Sequence, residues 1–142
     1  MTSQINVFRL ESPDTGNGPW WHGIGKGYAI QLYKANMVKG DDPEIHPLPS
    51  NDVPEWGNRS PELEYIFGCA SMRLLNEWFP CQAGRMAMQQ HISLMHYKVD
   101  IHKALVGNKQ VAFQRKAIME KTAIDLCEFK RYVSLEQEGK LI

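Results

Sequence analysis

The sequence predicts an α+β fold, a single compact domain in which helices pack on a small mixed or antiparallel sheet. Three observations carry that expectation. At 142 residues the chain has about one domain's length and can bury a real core. Met95, Tyr97, Val99 and Ile101 alternate with His96, Lys98 and Asp100, the period of a strand with one buried and one wet face. Met72, Leu75, Trp78 and Phe79 recur at the spacing that stacks side chains on one face of a helix.

Taken in order, residues 5–10 predict a first strand with Val7 and Phe8 on opposite faces, hence covered on both sides. Arg9 is its unusual member. A guanidinium there lies at the rim of the sheet, the expected place, or meets an anion or carboxylate. Residues 12–21 are turn chemistry throughout. The glycines at 16, 18, 23, 25 and 27 do not make a phosphate loop, because Lys26 is followed by glycine instead of Ser or Thr. Trp20 and Trp21 are costly to leave exposed, so at least one is expected on the core or over a pocket. Residues 28–34 read as a second strand. Five of the eight prolines fall between 40 and 61, a long irregular loop with His46 as a candidate partner contact.

The centre of the chain is better marked. Gly68 lets the backbone turn closely, Ser71 suits an N-cap, and Pro80 ends the helix after Phe79. A short helix over 83–90 and the strand over 92–101 follow. Gly107 and Asn108 signal a two-residue hairpin, and Val111 and Phe113 alternate on its return strand. Residues 116–130 read as an amphipathic helix, with residues 133–142 as a frayed tail.

Composition narrows the function classes. Formal net charge is zero, which gives no strong nucleic-acid signal and no pull toward anionic membrane. The charge is uneven: residues 1–64 carry 5 basic against 9 acidic groups, and residues 98–131 carry 8 against 4. The three cysteines show no metal-type spacing, so reduced thiols, no metal site and a cytoplasmic location are expected. No basic segment followed by an apolar run opens the chain, and no apolar stretch approaches the roughly 18 residues of a membrane span.

Local catalytic motifs are sparse. His91-Ile92-Ser93-Leu94 matches half of the two-histidine phosphoesterase signature, which needs a second copy to supply acid and base. His91 and His96 would fall on opposite faces of one strand, which disfavours a shared zinc. Cys69 is a candidate nucleophile, although a small buried thiol is the commoner state.

A spread-out set says more. Val7-Phe8-Arg9, the run from Thr15 to Trp20, His46-Pro47, Phe67-Gly68 to Ser71, Trp78-Phe79, Tyr97-Lys98-Val99 and Gln110-Val111-x-Phe113 all fall within residues 7–118. In this order they resemble small accessory proteins of bacteriophages and prophages, and more remotely an ADP-ribosyltransferase-type domain. The second resemblance implies a pocket for NAD or a nucleotide, with Arg9, Phe67, Gly68 and Ser71 binding the ligand and Gln110 in the catalytic place. An arginine forks onto pyrophosphate, whereas Gln110 stands where a carboxylate would stabilise the oxocarbenium charge. The resemblances therefore imply ligand binding and the modification of a host protein in the cytoplasm of a bacterial host cell. The alternative is a non-catalytic inhibitor of a host defence machine, anchored through Trp20, Trp21 and the proline-rich loop.

Overall fold

A computed structural model describes residues 3–16, 18, 28–36, 52 and 65–141. In chain order its elements are β1 (Gln4–Glu11), α1 (Tyr28–Ala35), β2 (Ile66–Gly68), α2 (Met72–Trp78), α3 (Gln82–Met88), β3 (Ser93–Asp100), β4 (Ala104–Val106), β5 (Val111–Phe113), β6 (Ile118–Ile124) and α4 (Phe129–Gln137). The α+β class is the one expected, with the strands in two antiparallel three-stranded sheets, ordered β1-β3-β6 and β2-β5-β4. Trp20, Trp21, His46 and, apart from Asp52, the loop at 40–61 lie outside the described residues.

The β1-β3-β6 sheet is the middle layer. One of its faces presents Phe8, Leu10, Leu94 and Ile124 to Ile30, Tyr33, Met72, Leu75, Phe79, Met88 and Phe129 of the helices. The other face presents Val7, Met95, Tyr97 and Val99 to Val111 and Phe113 of the second sheet. β1 is thus covered on both sides, with Val7 at 0% and Phe8 at 1% exposure. The two sheets touch through backbone: Phe8 N–H donates to Cys69 O at 2.7 Å, and Cys69 N–H donates to Phe8 O at 2.8 Å.

Several expectations need correction. Residues 28–34 form helix α1, not a strand, because Ala29, Ile30 and Tyr33 are buried at helical spacing. Tyr33 anchors that helix by accepting a hydrogen bond from Cys81 N–H at 2.8 Å. Residues 118–124 form β6 instead of the middle of a helix, since they pair with Leu94 to Val99 of β3. Non-local pairing overrides a weak helical period there. The expected frayed tail begins inside α4, which runs to Gln137. Its Glu136 carboxylate accepts from Met72 N–H at 2.7 Å and Arg73 N–H at 3.0 Å, tying the helix to the start of α2. The hairpin is a four-residue connection, because Val106 pairs with Val111.

His96, expected on a wet face, is buried and stacks on Phe8 with ring centroids 4.6 Å apart, because helices cover that side of β3. Ile101, expected inside, is 39% exposed in the 3-10 turn Ile101–Lys103 that ends the strand.

α2 follows its sequence signals closely. Ser71 is extended, at φ −145° and ψ 157°, and its Oγ accepts from Leu74 N–H at 3.1 Å. Met72 and Leu75 are buried, and the helix closes at Phe79 before Pro80. The apolar face turns slightly away from Trp78, which is only partly buried, and toward Phe79, which is 2% exposed and meets Tyr33 edge-on at 5.7 Å. Denaturant melts should therefore rank the two truncations: Phe79→Ala costs about 3–5 kcal/mol, and Trp78→Ala costs less. Equal losses would show that the pair is buried alike.

Candidate functional site

Arg9 and Glu11 lie two residues apart on β1 and so share one face. Arg9 does not sit at the rim. Its side chain is 10% exposed and that of Glu11 7%, and Arg9 Nε donates to Glu11 Oε1 at 3.0 Å. The fork of the guanidinium is also engaged: Nη1 donates to Phe67 O at 2.8 Å and Nη2 to Gly16 O at 3.0 Å. Directly behind it, an added Cβ at Gly68 would stand 2.5 Å from Val7 Cγ1 and 2.9 Å from Phe8 O, so only glycine lets β2 approach β1 this closely.

Two further groups complete the cluster. Tyr97 on β3 donates its hydroxyl to Glu11 Oε1 at 2.6 Å. Arg115 donates from Nη2 to Gly16 O at 2.7 Å and from Nη1 to Tyr97 Oη at 3.5 Å, and its Nη2 lies 3.8 Å from Glu11 Oε1. Gly16, at φ +76°, is held in the left-handed region that glycine tolerates, and its carbonyl receives both arginines. Burial, followed by the hydrogen bond to Glu11, pushes the Tyr97 phenol up to about 12, outweighing the Arg115 guanidinium. Burial also pulls the Arg9 guanidinium below its ordinary value, against the raising effect of Glu11.

The other sequence candidates take separate stations. Ser71 caps α2. Gln110 is 3% exposed; its N–H donates to Asp52 Oδ2 at 3.0 Å, and its carbonyl accepts from Gly107 N–H at 2.8 Å. The same Asp52 carboxylate takes the N–H groups of Asn108 at 2.9 Å and Lys109 at 3.0 Å, forming an occupied anion nest. The structure thus brings Arg9, Phe67 and Gly68 together, whereas the hydrogen bonds of Arg9 reach neither Ser71 nor Gln110. Burial, followed by the nearby Glu77 and Asp52, pushes the Cys69 thiol up to about 12, which keeps it protonated and unsuited to nucleophilic attack. Among the described residues no group of His, Cys, Asp or Glu is placed to hold a metal ion.

Sequence reading missed Glu11 and Arg115, and it placed Tyr97 on its strand without a role in this cluster. The alternation of Arg9 with Glu11 was a signal that could have found the first. The other two are separated from it by more than eighty residues and meet it only through the β1–β3 pairing and the turn after β5.

A model of the bacteriophage T4 Y00F protein family matches residues 1–127. The chain belongs to that family. The match bears out the phage part of the resemblance, and the transferase likeness has no counterpart in it. No curated protein and no solved structure matches the chain. Among the described residues of this phage-family protein, no helix is long and apolar enough to cross a membrane.

Two outcomes follow from the cluster. Glu11→Gln leaves the buried Arg9 without its carboxylate, and urea melts should show a loss of about 3–5 kcal/mol, as for other broken buried pairs. The raised Tyr97 phenol sets an alkaline limit. The folded state keeps its proton above the ordinary value of 10.0 while the unfolded chain loses it. Its contribution is therefore complete below pH 10 and is lost as pH rises toward about 12. Stability measured across that window should fall less steeply in Tyr97→Phe than in the wild type.

Proposed function

We propose that this phage protein is a non-catalytic accessory factor that binds a host protein by adding an extended segment of it to the edge of the β1-β3-β6 sheet. The carrying observation is the exposure of β6. It is the end strand of that sheet, and five consecutive residues, Met119 to Ala123, are exposed. Met119 alone is 42% exposed. A seven-residue edge of this kind offers backbone hydrogen-bonding groups to an incoming strand.

Charge favours a foreign strand over a second copy. Full antiparallel overlap of two β6 strands is centred on Lys121 and sets it against its own image, a destabilising like-charge pair. An acidic residue opposite Lys121 and a basic one opposite Glu120 make the complementary partner.

Transferase action on a host protein, with NAD as cosubstrate, has less support. The guanidinium nominated for the pyrophosphate serves Glu11, Phe67 and Gly16, and the hydroxyl nominated for the ligand caps a helix. An amide at position 110 supplies no charge to an oxocarbenium ion.

The test pairs two assays. A host protein crosslinked to the wild-type chain should be lost from Lys121→Glu, which keeps the wild-type melting temperature. Incubation with labelled NAD and host extract should transfer no label. Label transfer that disappears in Gln110→Ala would reinstate the transferase reading and displace this one.

A further inference from the structure

A basic surface lies at the far end of the β2-β5-β4 sheet, apart from the Arg9 cluster. Tyr65 precedes β2, the 3-10 turn Ile101–Lys103 precedes β4, and Gln114 follows β5. The register pairs both Ile66 and Ala104 with Phe113, which gathers these three flanking segments at one end of the sheet. The 3-10 turn Arg115–Ala117 continues the wall. Together they border an open surface cavity of about 330 Å³, whose polar lining is Tyr65, His102, Lys103, Gln114 and Lys116. That volume is near the lower end of the about 300–1,000 Å³ found for small-molecule sites.

Charge decides the class of ligand. Two lysines share the cavity, and among the described residues no carboxylate lines it. Among the described residues neither Lys103 nor Lys116 makes an ion pair. The neighbouring Asp100 is turned to its own chain, accepting from His102 N–H at 3.0 Å. Two ammonium groups around one space repel, and an anion between them relieves the repulsion while accepting charge-assisted hydrogen bonds. The Gln114 amide adds a donor and an acceptor, and the Tyr65 ring adds an aromatic surface of the kind on which bases stack. The size suits one phosphate with one base, and is small for a dinucleotide.

We propose that this cavity binds a mononucleotide, with its phosphate between Lys103 and Lys116 and its base against Tyr65. The site is independent of the β6 edge, so its failure and the failure of strand addition are separable: Lys121→Glu should leave nucleotide binding intact.

Calorimetry with adenosine 5′-monophosphate, inorganic phosphate and adenosine tests the assignment. The monophosphate should bind, phosphate should bind more weakly, and adenosine should give no heat at millimolar concentration. Lys103→Glu and Lys116→Glu should each weaken the monophosphate by about tenfold or more, and added salt should weaken it in the wild type. If charge reversal disturbs folding, the Lys103→Gln, Lys116→Gln pair supplies the same readout. No binding of the monophosphate, or equal binding by the wild type and the double variant, would overturn the proposal. Tighter binding of a single-stranded oligonucleotide through the same lysines would also overturn it, assigning the surface to nucleic acid.

Discussion

The close approach of β2 to β1 at Gly68 is the contact on which the rest of the structure depends. A missing side chain there lets Cys69 exchange two backbone hydrogen bonds with Phe8. Those bonds hold the second sheet over Val7 and Tyr97 on one side. They also deliver the chain to Ser71 and α2, which covers Phe8 and Leu10 on the other. One glycine thus sets the spacing of both cores. Any larger residue would meet Val7 and the Phe8 carbonyl, backbone and core atoms that cannot swing aside.

The same approach explains why an arginine can lie inside. Moving a guanidinium out of water is expensive unless its donors are met. β2 supplies the Phe67 carbonyl, the turn after β1 supplies the Gly16 carbonyl, and Glu11 supplies the charge. Tyr97 and Arg115 then share the remaining capacity of Glu11 and Gly16. The result is a polar joint that links β1, β3, the turn after β5 and the first loop. A group with so many internal partners fixes register well and is poorly available to a ligand.

Two other surfaces differ from this joint in a simple way: their charged groups face outward. Lys103 and Lys116 border a cavity that no carboxylate lines among the described residues, and Lys121 stands at the middle of an exposed edge strand. Both belong to the stretch from 98 to 131 that carries the excess of basic residues. The charge asymmetry visible in the sequence thus resolves into distinct places on the fold, while the Arg9 corner is spent on stability.

What the sequence alone determined was local. The Ser71 cap, the Pro80 stop, the burial of Met72 and Leu75, and a doubly covered first strand all follow from chemistry within a few residues. The α+β class follows from the coexistence of period 2 and period 3.6. Tertiary structure decided the rest, because the deciding partners are distant in the chain. Residues 118–124 became a strand once β3 offered an edge, and residues 28–35 a helix once Tyr33 could anchor to Cys81. Arg9 was legible as unusual but not as satisfied. Its carboxylate lies two residues away, while the carbonyls that finish its coordination come from positions 16 and 67. A side chain's type can be read in sequence, but whether its hydrogen bonds are already spent depends on which backbone folds against it.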